Sequence, residues 1–217
     1  DNGIAITVKY EIDGGTLDDY SLSMGGDWGT LVFDGHGASS AMGAVDDMTP
    51  NAYEEAWDII DTDGTSASGS PIVIGGGGGT NMFIYTSPSF SGATITAAYQ
   101  NDGGAANVSN GSYTDFAIAF TPEMVEGLTL GYAHADQKVG INLDNEKSTA
   151  YVKYATGGFT IGYQMSEADH DTVSSSQDSH SYGVTYAVND DFSIGYHSHT
   201  LEPDSAASSS ASNDQES

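Results

Sequence analysis

The chain contains no cysteine, no arginine and only four lysines among its 217 residues. Without cysteine the fold needs no disulfide bond, which is compatible with a place in the cell envelope. The 31 acidic residues give a formal net charge of −27. This charge argues against nucleic acid as a partner and against charge-driven docking onto anionic lipid headgroups, because both need basic side chains. The acidic side chains are compatible with two roles: keeping the protein solvated in a salty medium, or attracting cations toward it.

Long apolar stretches are also missing. No run of 18 or more apolar residues occurs, which excludes a transmembrane helix. No basic segment precedes an apolar stretch at the N-terminus, so no signal peptide is indicated.

What the chain has is a near-repeat of alternating residues. It recurs at 92–99, 127–132, 158–163 and 191–196, with starts roughly 31 to 35 residues apart. Within each copy, large apolar residues alternate with threonine, serine, glycine or alanine, as in a β-strand whose two faces meet different surroundings. The spacing leaves room for one return strand and one loop, so the repeating unit is predicted to be a hairpin.

This alternation predicts eleven strands, most of them long enough to cross a hydrocarbon layer of about 30 Å when tilted. In 158–166, for example, an apolar row that includes Phe159 and Ile161 alternates with a small or polar row that includes Gly162 and Gln164. The predicted strands are 4–12, 18–24, 28–34, 81–87, 92–100, 112–121, 127–135, 148–156, 158–166, 180–188 and 191–200. They predict an all-β fold, a transmembrane antiparallel β-barrel.

The connections and the aromatic residues favour the same fold. Short turns alternate with longer polar loops at 101–111, 136–147 and 167–179, as in outer-membrane barrels. Aromatic residues stand at both ends of the apolar rows, as two membrane interfaces require: Tyr10, Tyr20, Phe33 and Tyr99 at the long-loop ends, and Phe120, Tyr154, Phe159 and Phe192 at the short-turn ends. A soluble β-sandwich or propeller would explain the alternation and the turns, but neither of these two features.

One connection breaks the hairpin rhythm. About 46 residues, 35–80, separate the third predicted strand from the fourth, and a loop of this length is usually functional or disordered. Thr49 is a plausible N-cap with Pro50 at the first helical position, so 51–60 reads as a short helix with an aromatic face and an acidic stripe. If the loop folds inward, the aromatic face of this helix can pack against the barrel wall while the acidic stripe faces water.

The segment from Tyr20 to Gly35, with the sequence YSLSMGGDWGTLVFDG, resembles the strand pair before the constriction loop of Gram-negative general diffusion porins. Members of that family are trimers of sixteen-stranded barrels whose third outside loop folds into the lumen. The resemblance implies a homotrimer in the bacterial outer membrane. It makes 28–34 the fifth strand and 191–200 the thirteenth, so that about eleven of sixteen strands are present, with two expected before Asp1 and three after Ser217. The family often has glycine where this chain has Asp34, and it usually sets arginines opposite the loop acids.

On this reading, residues 1–201 form one barrel domain that contains the constriction loop 35–80, and 202–217 form a polar extracellular loop. We expect a water-filled channel in the lipid bilayer that passes small hydrophilic solutes and ions by passive diffusion, prefers cations, and has no enzymatic activity. The predicted constriction acids are Asp34 at the base, with Asp46, Asp47, Glu54, Glu55, Asp58, Asp61 and Asp63 on the loop. The predicted wall cations are Lys9 and Lys153.

Other chemistry receives weaker support. Asp61-Thr-Asp63-Gly64 begins like a calcium loop, but the further oxygen ligands are missing and an acidic turn is favoured. His197 and His199 share the lumen-facing row, where ordinary polar lining suffices without a metal. His36, His134, His170 and His180 are scattered, and no catalytic motif occurs, so we expect no cofactor. The alternative is an acidic, Ca²⁺-binding surface adhesin or matrix β-repeat protein without transport activity.

Overall fold

The computed structural model describes residues 3–36, 38–52, 78–79, 81–101, 111–140, 143–171, 176–203 and 213–216. In chain order the strands are β1 Ala5–Asp13, β2 Thr16–Gly26, β3 Gly29–Asp34, β4 Ala38–Ser39, β5 Gly78–Gly79, β6 Met82–Thr86, β7 Ala93–Gln100, β8 Tyr113–Phe120, β9 Leu128–Gly140, β10 Leu143–Thr156, β11 Phe159–His170, β12 Gln177–Asn189, β13 Phe192–Pro203 and β14 Asn213–Glu216. Within these ranges no helix is both long and apolar enough to cross a membrane.

Twelve of the strands form one antiparallel sheet in the order β1-β2-β3-β6-β7-β8-β9-β10-β11-β12-β13-β14, so each strand pairs with its neighbour along the chain. Strands β4 and β5 pair with each other inside the long connection. Tight turns produce this order. Thr156 pairs with Phe159 across Gly157 and Gly158, which both have positive φ, 55° and 86°. A two-residue hairpin turn requires this conformation, and glycine adopts it without strain. All eleven predicted strands are present, and the predicted all-β antiparallel fold is confirmed.

Two of the predicted loops are largely strand. Strands β9 and β10 continue to Gly140 and start at Leu143, within the predicted loop 136–147. Strands β11 and β12 likewise extend to His170 and from Gln177, into the predicted loop 167–179. The reason is that these extensions are mostly polar on both faces, with apolar residues such as Leu143 and Ala168 too few to form a row, so the alternation that marks a strand is lost although the backbone pairing continues. A strand that extends beyond a bilayer needs no apolar row.

The C-terminal segment also differs from its prediction as a loop. Strand β13 extends to Pro203, and Asn213–Glu216 pair with residues 198–201 as β14. Strand pairing through backbone groups needs no apolar pattern, and this polar segment has none. The domain bounds 1–201 and 202–217 stay predictions.

The two faces of the sheet differ in the way that the alternation predicts. Large apolar side chains on one face are exposed, for example Ile161 at 53% and Phe192 at 55%. The opposite face, called the inward face below, carries small and polar side chains, and several of them are buried, including Ala133, Thr149 and Gln164. Soluble proteins place their large apolar residues on the buried side. The reversed arrangement is that of a barrel wall with lipid outside.

The buried apolar cluster lies between the inward face and the long connection. Wall residues and connection residues contribute to it together, so no second sheet is needed to cover the wall. Its members are Ala41, Met42, Val45, Met82, Ala98, Tyr113, Ala117, Ala133, Ala135, Tyr151 and Ala168. The prediction that this connection folds inward against the wall is therefore confirmed for its described part, residues 38–52.

Candidate functional site

The inward loop, residues 38–52, is first held on the wall by a buried carboxylate. Asp115, on the inward face of β8, is 5% exposed. Its Oδ2 accepts hydrogen bonds from the Met42 N–H at 2.7 Å and the Tyr113 hydroxyl at 2.9 Å. Its Oδ1 accepts from the backbone N–H of Ala98 at 3.1 Å and of Ala41 at 3.3 Å. A buried carboxylate is tolerated when it is hydrogen-bonded in this way, and here half of its partners belong to the loop.

A buried amide makes the second attachment. Gln164 on β11 is 4% exposed. Its Oε1 accepts from the Met48 N–H at 2.8 Å, and its Nε2 donates to the carbonyl oxygens of Val45 at 2.8 Å and Asp46 at 3.3 Å. Nε2 also lies 2.9 Å from the Thr149 hydroxyl on β10. Because it bonds loop groups on both sides of residue 47, this side chain fixes the backbone that carries the loop carboxylates.

Beyond Gln164 the loop lies directly on the backbone of the wall. Thr49 Oγ1 is 2.8 Å from His197 Nε2, on β13. Pro50 packs where Gly162 of β11 and Gly183 of β12 present no side chain: a Cβ at Gly162 would lie 2.5 Å from Pro50 Cδ, and a Cβ at Gly183 would overlap the Pro50 carbonyl oxygen. From β8 to β13 the loop therefore follows the inward face across five strand spacings, about 24 Å.

Asp34 lies at the base of the loop, as predicted, and faces inward. It pairs directly with Ser21 and with Met82, and Ser21 pairs with Lys9. Directly opposed residues share one face of a sheet, and Met82 is fully buried under the loop, so this whole row faces inward. Lys9 is thus on the same row as Asp34, two strands or about 10 Å away. The Asp34 carboxylate also accepts the His36 backbone N–H at 3.1 Å.

The lysines of the wall are more numerous than predicted. In β10, Thr149 and Tyr151 are buried on the inward face, and Lys153 and Lys147 alternate with them at steps of two, so both lysines face inward. Lys153 was predicted there. Lys147 was assigned to a loop, because the strand was expected to begin at 148. Three lysines, Lys9, Lys147 and Lys153, therefore lie on the inward face.

The predicted loop acids are only partly described. Asp46 and Asp47 are half-buried beside Gln164. The Gln164 side chain bonds the Asp46 carbonyl oxygen and the Met48 N–H, and so holds the backbone on both sides of Asp47. Five predicted acids lie outside the described residues: Glu54, Glu55, Asp58, Asp61 and Asp63. The predicted helix 51–60 and the weighed calcium site at 61–63 fall outside them too, apart from residues 51 and 52, which are not helical.

Histidines occupy two different environments. His197 and His199 are each 1% exposed on the inward face. His199 Nδ1 lies 2.6 Å from the Ser181 hydroxyl. His36 lies beyond the end of β3 with its Nδ1 2.9 Å from Asp19 Oδ1. The hydrogen bond to Asp19 and the charges of nearby carboxylates raise the pKa of His36.

The residues that attach the loop were not identified from the sequence. Asp115 could have been found, since an acid in the small-residue row of a strand must be buried against donors. Gln164 and the glycines of the near-repeat were interpreted only as polar and small lining. Their partners on the loop are 112 or more residues away in sequence, where a local pattern carries no signal.

Comparisons with known proteins agree with this arrangement. The sequence model of the Gram-negative porin family matches residues 1–216. No curated protein matches the chain. Among solved structures, the anion-selective porin from Comamonas acidovorans is 15% identical with a TM-score of 0.63, over 92% of this chain and 64% of that chain. In-vitro folded OmpT of Vibrio cholerae is 15% identical with a TM-score of 0.62, over 99% of this chain and 67% of that chain.

The chain thus spans about two thirds of the length of these porins, and at such low identity the likeness shows the fold alone. The family match covers nearly the whole chain, and the fold is a porin barrel wall with its outward apolar face and its inward loop. This chain belongs to the Gram-negative porin family of the bacterial outer membrane.

Proposed function

We propose that the protein forms a water-filled channel through which small hydrophilic solutes and ions diffuse passively, with a preference for cations. The observation that carries the proposal is the inward loop, which is attached to a small and polar wall at Asp115, Gln164 and His197. A loop held across the inside of a barrel narrows its lumen without closing it, and the outward apolar rows face lipid. No enzymatic step and no cofactor enters this function.

The preference for cations depends on the part of the loop beyond residue 52. In the described part of the site, the carboxylates of Asp34, Asp46, Asp47 and the buried Asp115 are largely balanced by the inward lysines Lys9, Lys147 and Lys153. The excess of negative charge then comes from the other five loop acids and from the field of a chain with net charge −27. The Comamonas relative is described as anion-selective, but a likeness in fold does not extend to the charges of the lumen.

Reversal potentials of the full-length protein in planar lipid bilayers test both halves of the proposal. Under a KCl gradient we expect cation preference that weakens as salt is raised, because screening shortens the reach of the charges. Neutralising the five acids together, with Glu54 and Glu55 changed to Gln and Asp58, Asp61 and Asp63 to Asn, should remove most of the preference. The pair Asp46→Asn and Asp47→Asn should remove less. Anion preference of the unmodified protein would refute the charge assignment, and absence of conductance would refute the channel.

We also propose a homotrimer, the state in which a form of the Vibrio OmpT is described. Chemical cross-linking of the protein in detergent, followed by mass measurement, tests this. A mass that stays monomeric at all protein concentrations would contradict it.

A further inference from the structure

The last described part of the inward loop lies against wall glycines, Gly162 under the Pro50 ring and then Gly183 and Gly195 further along the loop. A Cβ built on Gly195 of β13 would lie 2.9 Å from the Ala52 Cβ, and a Cβ built on Gly183 of β12 would overlap the Pro50 carbonyl oxygen. Near them, the hydrogen bond between Thr49 Oγ1 and His197 Nε2, at 2.8 Å, holds the loop against β13. The loop is therefore both attached here and in direct contact with backbone.

Of the two surfaces in contact, the wall is the one that yields less. This holds most strictly at Gly183, because beside Gly195 the described part of β13 is paired with β12 alone and β14 pairs only with residues 198–201. Strand β12 is paired on both sides over its length, with β11 from residue 177 to 186 and with β13 from 177 to 189. Moving the backbone of Gly183 outward would break ladder hydrogen bonds on two sides, whereas the loop has no such ladder at residues 49–52. A methyl group added to the wall should therefore displace the loop toward the lumen. At Gly195 the displacement is about 1 Å, from 2.9 Å to an ordinary carbon–carbon contact of about 4 Å.

We infer that Gly183 and Gly195 determine the size limit of the pore. Because neither carries a Cβ, the loop lies as close to the wall as backbone contact allows, and the lumen keeps its largest open cross-section. The two glycines act through the position of the loop, so they are positioning residues. This inference rests on the proposed function, and it names the residues that set the channel's selectivity for solute size.

The test compares Gly195→Ala and Gly183→Ala with a matched control, Gly25→Ala. Gly25 also lies on the inward face, but its added Cβ would meet only Thr30 Oγ1 at 3.5 Å, an ordinary contact. Single-channel conductance of the full-length protein and swelling rates of liposomes in uncharged sugars of increasing size are measured. We expect lower conductance in both wall variants, together with a loss of sugar flux that grows with sugar size. Gly25→Ala should match the unmodified protein.

A rescue separates the contact from a general disturbance of the barrel. Ala52→Gly removes the nearest atom that Gly195→Ala would meet, while Thr185 Cγ2 at 3.0 Å and the Ala52 backbone nitrogen at 3.2 Å remain. The double variant should therefore regain part of the lost conductance and flux. The same Ala52→Gly should not rescue Gly183→Ala, whose obstacle is a backbone oxygen. If Gly183→Ala does not fold, the Gly195→Ala and Ala52→Gly pair still decides the question.

The outcomes distinguish the inference from the function beneath it. If the unmodified protein conducts and Gly195→Ala behaves like Gly25→Ala, the inference is wrong and the channel stands. If Gly195→Ala lowers conductance but Ala52→Gly restores nothing, direct contact is not the cause and the inference is again wrong. If the unmodified protein shows neither ion conductance in bilayers nor sugar flux in liposomes, the proposed function itself fails.

Discussion

Replacing Asp115 by Asn should release the first part of the inward loop. The carboxylate accepts four hydrogen bonds, two on each oxygen, and each oxygen serves one loop amide, that of Ala41 or Met42. An asparagine has one oxygen, and its NH₂ group would face an N–H donor at the other position. Whichever way the amide is turned, one loop N–H is left buried without an acceptor.

The size of the effect follows from hydrogen-bond energetics. A buried donor without a partner costs about 1–3 kcal/mol, and the bonds that remain lose their charge assistance, so we take a total of about 2–4 kcal/mol. At 1.4 kcal/mol per factor of ten, the population with the loop off the wall should rise about 30- to 700-fold. Leaving the wall returns the loop amides to water, so the penalty applies only to the attached state.

Because the chain has no native cysteine, a single introduced thiol can report the population of molecules whose loop has left the wall. Met42 belongs to the loop and is fully buried between the loop and the wall, so a thiol introduced by Met42→Cys reacts with a water-soluble maleimide only when the loop leaves the wall. Its labelling rate is compared with and without Asp115→Asn. A thiol at Met124, which is 94% exposed, serves as the control and should label equally fast in both backgrounds. Equal labelling of Met42→Cys in the two backgrounds would refute the role given to Asp115.

Two further predictions concern the second attachment and the rim. Gln164→Met keeps the length of the side chain but loses its bonds to residues 45, 46 and 48, so we expect noisier single-channel currents and a weaker cation preference. Gln137→Met, also on the inward face, is the control, and equal traces from the two variants would contradict the prediction. At the rim, His36 should titrate above its usual pKa of 6.5 in a ¹⁵N NMR pH titration, and Asp19→Asn should lower that value. A raised folded-state pKa means that this bond stabilises the fold below about pH 6.5 and that the contribution is lost as pH rises through the folded pKa. A value unchanged by Asp19→Asn would disprove the pairing.

The parts of the fold that obey a local rule could be predicted from the sequence. The alternation in 158–166 assigns Ile161 to the outside and Gln164 to the inside, because a strand turns each side chain to the opposite face from the one before it. The bilayer makes this rule strict between the two interfaces. Beyond them, at Lys147 for example, neither face needs apolar residues, so the strand has no pattern by which to be recognised.

The site was predicted in outline, because its attachments are not local. A long interruption of the hairpin rhythm predicted an inward loop with Asp34 at its base. Which wall residues hold the loop depends on the curvature of the sheet and on the path of the chain across it. Gly183 has the same sequence signature whether its missing side chain makes room for a loop or lines open water.

The attachments of the loop have a consequence for the order in which the protein assembles. Apart from the pairing of β3 with β6 across the long connection, each strand of the large sheet pairs with the next strand of the chain, so most of the wall can grow by local steps that close short loops. The bond between Thr49 and His197 instead joins residues 148 positions apart, and its partner strand β13 is near the end of the described chain. The attachment at His197 must therefore wait until β13 is in place, whereas the attachment at Asp115 needs only β8. Until then the loop is held only by the attachments already formed, so the order in which the strands form also sets the order in which the loop is attached.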